Sequence, residues 1–448
     1  MWDSVNYCFV YKTEKGITGI PDTQTNKDVK DYQYWRFVNN YDEIATSTYS
    51  VYWYGAALNS KKSVTVKVGF DAGEASVATI TYKPDADAEA KKDVKIRTNG
   101  GSLTINAAND SVDHYNTADK VIVTAVAPNS YHEYGDVLAL VVESGRVVVN
   151  EGATISTIVV NDASVKVAVP EGADTIVYAP VGTEVKGVER KDRPAGTEGA
   201  TNQSKFLDGL VKGSKYFAGG SGLANDPYLI ATKEQAAYMK NVGSTSVTTY
   251  YKMIANIVVD DELYMSSKKT VFDLNGYSIR LEYGENVKPI SAGVFIIGGK
   301  KSSLTINDSS AEKTGAVYGS NKTYASKVTS AVRVTSNGTL VINGGHFYGT
   351  SQGTSCIYAY ANSGTVTING GLFETLTPYN GTYYVLNHED GQSKYCKMTV
   401  NGGSFKNYNP GVTTVDPVNA KTGKIVLGTG CTTTSEVIGS DTWYTVSK

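Results

Sequence analysis

The sequence predicts an all-β chain: a right-handed parallel β-helix (solenoid) over residues 219–448, with a second, irregular β-solenoid segment upstream. Three observations predict it. The composition, with 45 Gly and 32 Tyr among 448 residues and with Thr, Val, Ser and Asn abundant, favours strands and tight turns over helices. The C-terminal half repeats one short strand motif. Each copy ends at the same corner and returns at the spacing of a wound coil.

The repeat reads Ser303-Leu-Thr-Ile-Asn307, Thr339-Leu-Val-Ile-Asn-Gly-Gly-His-Phe347, Thr365-Val-Thr-Ile-Asn-Gly-Gly-Leu-Phe373 and Met398-Thr-Val-Asn-Gly-Gly-Ser-Phe405. Leu340, Ile342 and Phe347 recur as Val366, Ile368 and Phe373, with Thr and Val between them. That period of two gives a core face and a solvent face. The Asn-Gly-Gly corner requires positive φ, which glycine adopts freely and asparagine tolerates. Asn343, Asn369 and Asn401 lie 26 and 32 residues apart, so loops of variable length interrupt a constant turn. Coils stacked at about 4.8 Å give roughly eight or nine turns. Equal positions after equal corners place Phe347, Phe373 and Phe405 in one interior stack.

Val271–Tyr277 and Gly293–Gly299 read as earlier coils, and Thr232-Lys-Glu-Gln235 is a capping box opening a short helix through Met239 that would cover the first coil. Over residues 51–190 the strands Ser102–Asn106, Gly145–Val149, Thr157–Val160 and Ser164–Val169 form a shorter, less regular solenoid. The charged, Gly- and Pro-containing run Val188–Ala200 introduces a linker over 191–218. Residues 1–50, rich in Tyr, Trp and Asp, show no repeat and are expected to be a cap or attachment segment.

The run Gly219-Gly-Ser-Gly-Leu-Ala-Asn-Asp-Pro-Tyr-Leu-Ile230, with Phe272-Asp-Leu-Asn-Gly276 and the Ile-Asn-Gly-Gly-x-Phe coils, resembles the pectin-lyase-like right-handed parallel β-helix domains of phage fibre or decoration proteins and gut-bacterial surface proteins. Gly402–Pro410 with Asp441–Val446 looks like the closing coil of such phage proteins, and Gly100–Asn106 with Ser130–Tyr134 like an accompanying β-helical segment. The resemblance covers about half the chain. It is specific for architecture and weak for activity. Lyases of this fold imply a cluster of acids for Ca²⁺ with a base, and hydrolases imply close aspartates. Asp273, Asp308 and Glu374 share no register across coils, so no catalytic residue carries over.

Other chemistry is thinly represented. The net charge of −2 supplies no basic field for nucleic acid or an anionic membrane. Cys8, Cys356, Cys396 and Cys431 lack metal spacing and read as free or incidentally paired; His114, His132, His346 and His388 also lack it. No metal and no cofactor is expected. The first residues carry no secretory signal and no run is long enough to span a membrane, which suits a virion component or a trimmed surface protein. Gly293–Lys300 departs from the phosphate-loop spacing, and Asn321-Lys-Thr and Asn380-Gly-Thr are chance glycosylation matches. His388-Glu389-Asp390 and Tyr131-His132-Glu133-Tyr134 read as solvated loops.

Tyrosine is the informative excess. Tyr348, Tyr358, Tyr360, Tyr379, Tyr383 and Tyr384 gather around the later coils, where rings could meet sugars or a protein partner, although Tyr also suits any pleated surface. The function expected is a structural or adhesive surface protein, a phage virion fibre or decoration component presenting a β-helix for host or glycan attachment. The alternatives are a bacterial cell-surface adhesin and, further off, a polysaccharide lyase or hydrolase. Its expected partners are other virion or cell-surface proteins and host glycans, without nucleic acid or membrane insertion. Its location would be the virion surface or the cell exterior, and a homotrimer would multiply weak contacts.

Overall fold

Strands of three to six residues cannot bury a face alone, so each must stack on the equivalent strand of the next coil. The computed structural model describes residues 94–127, 131–286, 292–322, 329–350, 355–359, 364–376, 378, 383–388, 397–412 and 425–448, together with the strands Trp2–Asp3, Cys8–Thr13, Tyr32–Val38, Asp42–Thr46, Val51–Gly55, Lys62–Gly69 and Val77–Pro84. The chain divides into two compact units, Met1–Lys215 and Tyr216–Lys448.

In the second unit, among the described residues, five coils contribute a strand to each of three sheets and the terminal coils to fewer. The first sheet stacks Tyr228–Ile230, Thr248–Met253, Lys269–Asp273, Ser303–Asn307, Thr339–Ile342, Thr365–Ile368, Lys397–Val400 and Ile425–Leu427, all parallel. The second runs Ile257–Val259, Ser278–Leu281, Ala316–Tyr318, His346–Gly349, Leu372–Thr375 and Gly403–Lys406, then closes on the antiparallel hairpin Thr432–Ile438/Asp441–Ser447. The third runs Leu263–Tyr264, Ala292–Ile297, Thr329–Val334, Ser355–Ala359 and Leu386–His388. The architecture is an all-β solenoid of parallel sheets.

The repeat register is the one the motif implies. Leu304, Leu340, Val366 and Met398 align in one interior row and Ile306, Ile342, Ile368 and Val400 in another, all fully buried. Phe347 stacks on Phe373 at 5.2 Å between centroids and 10° between planes, and Phe373 on Phe405 at 4.8 Å and 9°. At the other end Thr232 caps the helix Lys233–Tyr238, its hydroxyl accepting from the Gln235 N–H while the Gln235 side chain accepts from the Thr232 N–H. Ala236 and Met239 close over the core. Lys268, buried beside them, donates to the carbonyls of Met239, Lys240 and Val242, and burial holds its ammonium below the usual lysine range.

The corner works differently from the expectation. Positive φ falls on the second glycine, Gly345 (102°), Gly371 (113°) and Gly403 (111°), and a Cβ at Gly345 would meet Leu274 Cδ1 at 2.6 Å. The asparagines serve a separate purpose. Asn343 donates to Asn307, Asn369 to Asn343 and Asn401 to Asn369, each amide at 2.8 Å, forming a side-chain ladder parallel to the backbone ladder. Replacing Asn369 by Ala removes two of these bonds and is expected to cost about 1–3 kcal/mol in urea denaturation. A change no larger than that of Thr365→Ala, an exposed neighbour on the same coil, would show the ladder to be decorative.

Gly293–Gly299 is also reassigned: its strand, Ala292–Ile297, belongs to the third sheet, while Val271–Tyr277 overlaps the first. Beyond the short first strand, where Tyr264 is exposed, strands of the third sheet are buried on both faces, Ser355–Ala359 throughout. Their sequence consequently loses the alternation that marks the other two sheets.

In the first unit the long strand Val112–Val126 pairs with Tyr131–Glu133 through its first half and with Asp136–Val142 through its second. From there two parallel stacks diverge. One continues through Arg146–Val149, Lys166–Ala168 and Glu184–Lys186, and the other through Thr154–Val160, Ile176–Tyr178 and Arg190–Lys191. Upstream pairing is partly antiparallel, as in Lys62–Gly69 with Val77–Pro84, and Tyr32–Val38 pairs with Val51–Gly55 across the boundary expected at residue 50.

The stretch expected as a linker, 191–218, contains the helix Ala200–Tyr216. Its Phe206, Leu207 and Leu210 are buried, Phe206 meets the Tyr178 ring edge-on at 5.7 Å, and Lys120 pairs with Asp208 at 2.9 Å. An apolar stripe at helical spacing was hidden behind the charged run that precedes it.

Candidate functional site

In a strand whose Phe points inward, the next residue points outward. Phe347, Phe373 and Phe405 are followed by Tyr348, Glu374 and Lys406, and register extends this outer column to Arg280 and Tyr318 on one side and Trp443 on the other. The column reads cation, ring, ring, acid, cation, ring, one residue per coil.

Its members are engaged with one another. The Arg280 guanidinium lies 4.8 Å from the Tyr318 ring centre and 3.6 Å from Glu282. Tyr318 and Tyr348 stack with centroids 4.4 Å apart and planes parallel. Tyr348 shares a 2.8 Å hydrogen bond with His346 Nδ1. Burial raises the Tyr348 phenol and lowers His346 against the opposing effect of Glu374. His346 Nε2 faces Glu374 at 3.7 Å. Lys406 donates to Glu374 at 2.6 Å and sits 3.0 Å from Asp441, which Asn407 also holds at 2.8 Å. Glu374 and then Asp441 raise the Lys406 ammonium, while Asn407 and then Lys406 lower the Asp441 carboxyl.

This geometry suits polar contact better than acid–base chemistry. A glycosidase needs its two carboxyl groups to flank the scissile bond. Here the Lys406 ammonium bridges Glu374 and Asp441, at 2.6 and 3.0 Å. The Tyr318 and Tyr348 rings stack on each other, leaving phenol edges, a guanidinium and carboxylate oxygens to meet a ligand. Leu372, 40% exposed, is the apolar neighbour in the adjoining column.

Of the tyrosines singled out by sequence, Tyr348 and Tyr358 lie on different sheets. Tyr348 is in the column. Tyr358 lies on the third sheet, 5% exposed, with Arg333 5.4 Å from its ring. Tyr383 and Tyr384 are half-buried, Tyr383 against the core, and Tyr360 and Tyr379 lie outside the described residues. His388 ends the strand Leu386–His388, and Glu389 and Asp390 are likewise outside the described residues. Sequence reasoning missed Arg280, Tyr318, His346, Lys406, Asp441 and Trp443; the position after the inward Phe was a signal for Lys406 alone, and the others needed the register between coils.

A second polar cluster lies in the first unit, and it corrects the reading of Tyr131–Tyr134 as a solvated loop. Tyr131–Glu133 is a strand, with Tyr131 and Glu133 fully buried. Glu133 accepts from Tyr131 at 2.5 Å and from the Gly135 N–H at 2.8 Å, and meets His114 Nδ1 at 2.8 Å. Thr98 donates to the Thr117 carbonyl, and its hydroxyl oxygen lies 2.7 Å from His114 Nε2. Burial, then the Glu133 charge, pushes the Tyr131 phenol up. The cluster is closed to solvent and acts as a polar clasp within the core.

Cys356 and Cys431 are free, and burial pushes the Cys356 thiol up to about 12, which leaves it unreactive. Among the described residues no group of three His, Cys, Asp or Glu could hold a metal ion, and no helix is long and apolar enough to cross a membrane. No protein-family model, curated protein or solved structure matches the chain.

Proposed function

We propose that the chain is a structural, adhesive surface protein, a virion fibre or decoration element that presents its solenoid for attachment to a host surface or glycan. The observation that carries this reading is the outer column from Arg280 to Trp443, in which stacked coils hold one charged or aromatic side chain per turn at strand spacing. Repeated, pre-organised polar edges recognise a repeating polar ligand at little entropic cost. We extend the proposal to the winding: right-handed, as about 98% of parallel crossovers are, and pectin-lyase-like in plan.

The test is adsorption of the labelled full chain to bacterial cells and to an array of surface glycans. Arg280→Ala with Leu372→Glu, both at exposed positions, is expected to reduce adsorption roughly tenfold while leaving Tm unchanged. The reading fails if the chain instead releases unsaturated or reducing ends from a polysaccharide and Glu374→Gln abolishes that release.

A further inference from the structure

The two ends of the second unit treat their sheet edges differently. At the first coil the edge strand Tyr228–Ile230 has three residues and leads into the capping helix Lys233–Tyr238. At the closing coil the outermost strand of the second sheet, Thr432–Ile438, has seven residues, and its one strand partner among the described residues is Asp441–Ser447. Its register runs unbroken from Thr432↔Ser447 to Ile438↔Asp441, without a bulge. Six of its seven residues are exposed, with Val437 71% and Ile438 56% accessible. Edge strands are ordinarily blunted by Pro, charged side chains, a bulge or shortness. This strand has no Pro, Lys or bulge and a single charge, Glu436, and Thr432, Thr433, Thr434, Val437 and Ile438 are all β-branched.

We infer that Thr432–Ile438 pairs antiparallel with the same strand of a second copy, about a two-fold axis through Ser435. The sequence is complementary to itself in that register. Ser435 faces Ser435, Thr433 faces Val437 and Thr432 faces Ile438, so β-branched residues cover one another. Glu436, the strand's one charge, faces the Thr434 hydroxyl; a parallel in-register pairing would oppose two glutamates. The contact is isologous and closes at two copies, making the second sheet continuous through both. It involves no residue of the outer column and stands whether or not that column binds glycans.

The test is sedimentation velocity of the full chain over a concentration series, with three cysteine variants cross-linked under oxidation. The wild type should pass from one to two copies. Ser435→Lys sets two ammonium groups opposite each other at the axis and should hold the chain as a monomer with unchanged Tm. Ser435→Cys should give a disulfide-linked dimer. Glu436→Cys alone should not, because its two sulfurs would lie diagonally, with Cα atoms beyond the roughly 7 Å a disulfide spans. Mixed with Thr434→Cys it should cross-link. A monomer throughout the series, a trimer, a dimer that Ser435→Lys leaves intact, or cross-linking by Glu436→Cys alone overturns the inference.

Discussion

Replacing Glu133 by Ala is expected to destabilise the first unit by about 3–5 kcal/mol, because three buried donors lose their acceptor at once. The carboxylate accepts from Tyr131, Gly135 and His114, and all three donors are sealed from water. Deleting it leaves them unsatisfied in a low-dielectric core, where each lost partner costs the full desolvation of its donor. Glu133→Gln should cost less, because its carbonyl oxygen still accepts one bond while its NH₂ opposes another donor. Joint replacement of Glu133 and His114 by Leu should cost less than the two single changes added together, since the bond between them is then lost once and not counted twice. Urea denaturation of all five variants, Glu133→Ala, Glu133→Gln, Glu133→Leu, His114→Leu and the double Leu change, checks this. A loss below about 1 kcal/mol for Glu133→Ala would mean the clasp admits water.

The second large effect is expected at Phe373, the middle ring of the interior stack. It is fully buried between Phe347 at 5.2 Å and Phe405 at 4.8 Å. Phe373→Ala opens a cavity that close-packed neighbours on rigid coils cannot collapse into, and should cost about 3–5 kcal/mol. Because each coil touches only its neighbours, the damage should be local. Amide exchange should accelerate most in Leu372–Thr375 and in the strands paired with it, His346–Gly349 and Gly403–Lys406. Uniform acceleration across the unit would contradict nearest-neighbour stacking.

Sequence by itself determined the parallel stacking of the later coils and their register. A period-two strand with an invariant corner leaves one way to align Leu340 with Val366 and Phe347 with Phe373, since a slip by one residue would turn every apolar side chain outward. It also determined the capping box at Thr232, a local signal that needs no distant partner. Tertiary structure alone decided which strands share a sheet. Ala292–Ile297 joins the third sheet, whose longer strands are covered on both faces and carry no alternation to read. It decided that Ala200–Tyr216 packs as a helix, because Phe206 gains its burial from Tyr178, a residue with no sequence relation to it. It also assembled the outer column, where Arg280, Tyr318, Tyr348, Glu374 and Lys406 are separated by whole coils of variable loop length. Their meeting depends on the number of coils between them, and only the wound chain supplies that number.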